Sequence, residues 1–139
     1  MDIRAQLIRD EGDQPSVYQD SLGYWTIGVG FLIDRRKGGR LPSVVRDYWL
    51  DFLVDANRRA LRSALPWYDR LDVVRQGVLL NMAYQLGVAG LLAFSETLAR
   101  VRDGRYTEAG IAMLQSDWAK QTPQRAVRLS EQMKTGLWV

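Results

Sequence analysis

Residues 8–30 read IRDEGDQPSVYQDSLGYWTIGVG, and the hydrophobic period changes inside them. Upstream, Ile3, Leu7 and Ile8 recur at helical spacing, so residues 2–11 are read as a short helix stopped by Gly12. Downstream, residues 17–19 and 24–27 are β-prone, and the turn sequence DSLG at 20–23 lies between them. This reading puts Asp10 and Glu11 in the last turn of the helix. That end of a helix carries partial negative charge, and an anion there is disfavoured by roughly 0.3–1 kcal/mol. Stability alone would favour Lys or Arg. The carboxylates need another reason to be there.

Past Gly28 and Gly30, the DRRKGGR segment at 34–40 predicts another strand with a hairpin tip. So small a β region cannot bury enough surface to stand alone. From Pro42 onward the pattern is helical: Val44, Val45, Tyr48, Trp49, Phe52, Leu53 and Ala56 share one face, with Arg46, Asp47 and Asp51 on the other. A break at ALPWYD precedes a helix expected over about 71–86, then shorter ones over 91–103, ended by Gly104, and 107–115. Thr122 and Pro123 read as cap and first turn of a last helix to about Lys134. The expected class is α+β, a small antiparallel β lobe on a mostly helical body. One domain is expected over 1–139: an N-terminal helix 1–12, a β lobe of about 13–40 and a helical lobe of about 41–139. The five tryptophans and Tyr48 read as core, although Trp25 could face a sugar.

Composition narrows the chemistry. The chain has 139 residues, no cysteine and no histidine. Thiol chemistry, disulfides, a serine–histidine pair and zinc sites of the His or Cys kind are excluded. Hydrolysis would have to rest on carboxylates. The net charge of +3 suits an anionic partner such as nucleic acid, phospholipid or a polyanionic cell wall. The uncharged run at 77–94 approaches a membrane span in length, but Asn81, Gln85, Gly87 and Gly90 interrupt it, so a buried helix followed by a turn is expected. The N-terminus lacks the apolar core of a signal peptide.

Glu11, Asp20 and Thr26 form a constellation with a chemical reading. Glycoside hydrolysis needs one protonated carboxyl to protonate the leaving oxygen and one ionised carboxylate to activate water or stabilise positive charge. Glu11 at the negative helix end suits the acid, Asp20 in a polar turn suits the base, and Thr26 could orient a water. The same residues have a plain structural reading. Asp is routine at the first position of a β-turn, and Glu at a helix end is often simply solvated.

Glu11, the stretch DSLGYWTIGVG at 20–30 and Leu32 resemble the N-terminal signature of the T-even phage lysozymes. The likeness continues in LNMAYQLG (80–87), Phe94, WAKQTPQRA (118–126) and TGLW (135–138), in the same order over nearly the whole chain. The resemblance implies a lysozyme-like fold and an endolysin that cuts the β-1,4 bond between N-acetylmuramic acid and N-acetylglucosamine. It implies Glu11 as acid, Asp20 as base partner and Thr26 as the water-holding hydroxyl, with inversion at the anomeric carbon. Leu32, Tyr84 and Thr97 match cleft-lining positions, Tyr and Thr being substitutions there. Gln85 matches a cleft amide, and Arg125 an arginine that approaches the catalytic glutamate, with Gln121 and Thr122 nearby. Ala112 stands where the family has a polar residue. Phe31 replaces a common histidine, with Leu53 placed opposite it. The segment between Gly30 and Pro42 is much shorter than in familiar relatives.

The implied protein is a monomer without metal or cofactor, whose partner is peptidoglycan rather than nucleic acid and which does not insert stably in a membrane. It would stay in the host cytoplasm until a holin lets it reach the wall. The alternatives are a lytic transglycosylase, or a catalytically silent, basic wall-binding module with the same fold. GVG at 28–30 lacks the third glycine of a dinucleotide loop and reads as a bulge or close backbone approach. RRKGGR could hold phosphate or nucleic acid, yet six such residues at a hairpin tip are usually a solvated edge.

Overall fold

The computed structural model describes residues 2–139, the side chain of Ile3 excepted, so the expectations for Met1 and for the Ile3 side chain lie outside the described residues. The chain forms two compact units, Met1–Leu50 and Asp51–Val139.

In the first unit, α1 (Ile3–Glu11) begins at Asp2, whose carboxylate accepts from the Ala5 N–H at 2.8 Å. It ends at Gly12, whose φ of 80° is one that glycine tolerates, and whose N–H donates to the Ile8 carbonyl at 2.9 Å. Three antiparallel strands follow in the order β1 (Gln14–Gln19), β2 (Trp25–Gly28) and β3 (Phe31–Leu32). Tyr18 pairs with Thr26 and Thr26 with Leu32, and the β1–β2 register is irregular between Gln14 and Tyr18. Pro15 lies in that irregular stretch of an edge strand, where its missing N–H is tolerated.

The third strand is shorter and earlier than the sequence led one to expect. Residues 34–40 form no hairpin tip but a loop after β3. The reason is local: the Asp34 carboxylate accepts from the Arg36 backbone N–H at 3.1 Å, and this Asx-type turn ends the ladder.

Helix α2 (Ser43–Ala64) begins in the first unit and ends in the second. Its early apolar residues are exposed, with Tyr48 at 76% and Val44, Val45, Trp49 and Phe52 also open. The expectation of Tyr48 and all five tryptophans as core is therefore corrected. Trp118 is buried and Trp67 packs against the core, but Trp25, Trp49 and Trp138 are exposed. Periodicity finds an apolar face; it does not say what covers it.

The core lies in the second unit, around Leu61, Tyr68, Leu79, Met82, Leu91, Met113 and Met133. The break after α2 contains a 3₁₀ turn (Tyr68–Arg70). Helix α3 (Val73–Leu92) runs past the expected end at 86, bending at Gly87, where φ is 76°. Its capping carboxylate, Asp72, accepts from the Arg75 N–H at 2.9 Å. The chain continues through α4 (Ser95–Arg102), α5 (Tyr106–Leu114), α6 (Asp117–Gln121) and α7 (Pro123–Thr135). The short α6 was not anticipated. Thr122 occupies the cap position of α7, yet its hydroxyl makes no cap bond and donates instead to the Trp118 carbonyl at 3.1 Å. The apolar run at 77–94 is broken at Gly87 and buries Val78, Leu79, Met82 and Leu91. Among the described residues no single helix is long and apolar enough to cross a membrane.

Arg75 ties α3 to the end of α7. Its Nε donates to the Met133 carbonyl at 2.8 Å and its Nη2 to the Lys134 carbonyl at 3.0 Å, satisfying carbonyls that a helix end leaves unpaired. Nη1 pairs with Asp72 at 2.8 Å, and the guanidinium sits 3.9 Å from the centre of the Tyr106 ring. Arg75→Ala is expected to destabilise the protein by about 2–3 kcal/mol, since it strands partly buried carbonyls as well as removing contacts. Urea unfolding checks this; a loss below about 0.5 kcal/mol would show that water replaces the guanidinium without penalty.

The charged groups also set a pH profile. Desolvation acts to raise the Asp72 carboxyl, but hydrogen bonds from the Arg75 side chain and backbone overcome it and hold it below its usual value. Hydrogen bonds from Arg36, Arg102 and Arg105 hold Asp34, Asp103 and Glu108 low. A carboxyl depressed in the folded state contributes stability above its unfolded pKa of about 4, lost as pH falls through the folded value. With no histidine, nothing but the α-amino group ordinarily titrates near neutrality. Melting temperature should be flat between about pH 6 and 8 and fall below about pH 4. A steep slope near neutrality would reveal a strongly perturbed group.

Candidate active site

In the first unit the candidate residues gather around the small sheet. Glu11 ends α1, is exposed, and makes no ion pair or hydrogen bond with the other described residues. Its side chain lies against Gly30, between β2 and β3: a Cβ built there would come 2.7 Å from the Glu11 Oε2 and 3.2 Å from its Cδ. Gly30 also has a φ of 63°. Two demands, a left-handed backbone and a close approach, both require glycine. Glu11 and Gly30 border a hollow of about 610 Å³ that Arg4, Leu7, Ile8, Asp13, Val29 and Phe31 complete.

Asp20 opens the β1–β2 turn. Its Oδ1 accepts two backbone N–H groups, from Leu22 and Tyr24, each at 2.9 Å. One oxygen thus fixes the carboxylate, while Oδ2 takes no hydrogen bond from the other described residues. Thr26, on the central strand, is 4% exposed, and its hydroxyl donates to the Tyr24 carbonyl at 3.2 Å. The donor is thereby used within the sheet, and the oxygen keeps its capacity to accept. Leu32, exposed, is the cross-strand partner of Thr26.

The other candidates belong to the second unit. Tyr84 and Gln85 are exposed on α3. Gln85 Oε1 accepts from the Trp118 indole N–H at 3.0 Å, and Trp118 meets Phe94 edge to face at 6.0 Å between centroids. Arg125 on α7 is brought to α3 by Asn81, whose Oδ1 accepts from Nε at 2.9 Å and from Nη2 at 2.6 Å. The partner is a neutral amide, so no carboxylate offsets the guanidinium charge at this contact. Thr97 is buried in α4, where it borders a hollow of about 220 Å³ with Phe94, Ala112, Gln115 and Ser116. Asn81 and Trp118 were not singled out from the sequence as site residues. Asn81 showed itself only as a polar residue inside an apolar run and as part of the LNMAYQLG stretch, without a role.

A family model described as phage lysozyme matches residues 9–133. The chain belongs to the phage lysozyme family. The α+β, lysozyme-like fold class agrees with the helices and three-stranded sheet described above. Probable T4-type lysozyme 1 of Dictyostelium discoideum is 26% identical over 160 aligned positions, covering 96% of this chain and 94% of that protein. Those positions outnumber the chain's 139 residues, so that relative carries residues with no counterpart here. The pre-baseplate central spike protein Gp5 of Enterobacteria phage T4 is 30% identical; the match covers 98% of this chain and 28% of that protein. Peptidoglycan hydrolase gp36 of Pseudomonas phage phiKMV is 25% identical over 94% of this chain and 15% of its own length.

Proposed function

We propose that the protein is a muramidase that cleaves the β-1,4 bond between N-acetylmuramic acid and N-acetylglucosamine, as part of bacterial lysis. The broader statement, a peptidoglycan hydrolase of the glycoside hydrolase class, is supported by the phage lysozyme family and by the hydrolase named above. In the finer reading Glu11 donates its proton to the glycosidic oxygen. Asp20 takes the proton of a water that Thr26 orients, and that water attacks the anomeric carbon from the opposite face. Tyr84, Gln85, Thr97, Leu32 and Arg125 hold the glycan.

The observation that carries this reading is the division of labour at Asp20. Two turn amides hold Oδ1 and leave Oδ2 for a water, and the strand returning from that turn carries a threonine whose hydroxyl is already positioned by the Tyr24 carbonyl. A purely structural turn aspartate has no need of such a neighbour. Hydrolysis by this route inverts the anomeric centre, so the first product formed should be the α-anomer. Proton NMR of fragments released in the first minutes from purified peptidoglycan tests this. A first-formed β-anomer would overturn the inverting route. An anhydro sugar would make the protein a lytic transglycosylase, and intact glycan a wall-binding module.

A further inference from the structure

The loop at 34–40 holds Arg35, Arg36, Lys37 and Arg40 against one carboxylate, Asp34, a net charge of +3 that equals the formal net charge of the whole chain. The rest of the chain is balanced. The loop is also held in place. Arg36 pairs with Asp34 at 3.1 Å, and Lys37 lies 5.8 Å from the centre of the Tyr24 ring. Gly39, with a φ of 66°, lies so close to Trp25 that a Cβ would come 3.1 Å from its ring. Arg35 and Arg40 form no ion pair or hydrogen bond with the other described residues and are exposed. Both border a hollow of about 380 Å³ whose apolar wall is Leu32, Ile33, Leu41 and Pro42, and which Asp34 also lines together with its partner Arg36. Arg40 also feels the Asp34 charge, but a stability argument does not account for two exposed guanidinium groups, neither in an ion pair among the described residues, beside an apolar wall, because like charges repel.

We infer that this hollow is a subsite for the carboxylates of the peptide stems that branch from the glycan, with Arg35 and Arg40 as the recognising groups. The inference rests on the muramidase reading. Leu32 connects the two, since it lines the hollow and pairs directly with Thr26 across the sheet. Directly paired residues lie about 4.5–5.5 Å apart, so a glycan passing Thr26 runs beside the loop. Every muramic acid can carry a stem with free carboxylates, and a guanidinium fork matches a carboxylate through two parallel hydrogen bonds. The stem arrives covalently joined to the sugar being cut. A separate phosphate polymer would have to be present independently, so the stem is the better fit.

The test compares the full chain with its Arg35→Gln/Arg40→Gln variant, whose melting temperature should stay within about 2 °C because both arginines are exposed and neither has an ion pair or hydrogen bond to lose among the described residues. KM and kcat are measured on sacculi free of phosphate polymers, with stems intact or removed by an amidase. On intact sacculi the variant should show KM raised about tenfold with kcat unchanged, and a weaker salt dependence. On stem-free glycan the two proteins should be equal. A variant defect that persists without stems, one seen only on phosphate-bearing walls, or none at all would overturn the inference. If the wild type cleaves neither glycan, the muramidase reading fails, and NMR titration with a soluble stem tripeptide decides the subsite by itself. Shifts at residues 35–40 with the free acid but not with its amide support it; their absence with both overturns it.

Discussion

Glu11→Gln is expected to lower kcat on peptidoglycan by about 10²–10⁴-fold, the range a positioned general acid supplies. The melting temperature should stay within about 2 °C of the parent, since exposed substitutions away from structural contacts change stability by about 0.5 kcal/mol or less. The two halves of this expectation have separate origins. Glutamine keeps the shape that packs against Gly30 but has no proton to give. Among the described residues the Glu11 carboxylate has no ion pair or hydrogen bond that glutamine would forfeit. Its position at the negative end of α1 means that a neutral side chain removes an unfavourable charge. Lytic rate and thermal unfolding measured together at pH 7 decide the matter. Retained lysis would rule out Glu11 as the acid. Lost lysis with a clear fall in melting temperature would make it a structural partner.

Much of the local structure that carries the candidate residues was legible because its parts are short-range. Gly12 stops α1, and DSLG makes the turn, through backbone rules that act over a few residues, so the placement of Glu11 and Asp20 followed from sequence alone. The strand carrying Thr26 followed from β-propensity next to that turn. What escaped depends on partners far along the chain. Asn81 and Arg125 are 44 residues apart, and Gln85 and Trp118 are 33 apart. No local signal pairs them. Thr122 shows competition between two local rules: the residue type suits a cap, but the adjacent end of α6 offers a carbonyl that its hydroxyl reaches first. The loop at 34–40 failed for another reason. Glycines and charges suit a hairpin tip and a capped-off loop equally, and the Asp34 turn chose the latter.

Gly30→Ala is expected to cost about 1–2 kcal/mol in stability, because a Cβ is disfavoured at a φ of 63°. Activity should suffer far more, by about 10²-fold or greater. The difference comes from which atoms the methyl would meet. At 2.7 Å from Oε2, 3.2 Å from Cδ and 3.3 Å from Cβ, it contacts the Glu11 side chain along much of its length. An exposed glutamate escapes such a clash by rotating, which is cheap for the fold. The rotation nevertheless moves the proton donor by an ångström or more, and misplacement on that scale costs about 10²-fold in a reaction that depends on positioning. The expected signature is thus a fall in kcat out of proportion to the loss of stability, with the Glu11→Gln/Gly30→Ala double variant no less active than Glu11→Gln alone. Equal proportional losses, or additive effects in the double variant, would mean that Gly30 serves the fold and not the placement of Glu11.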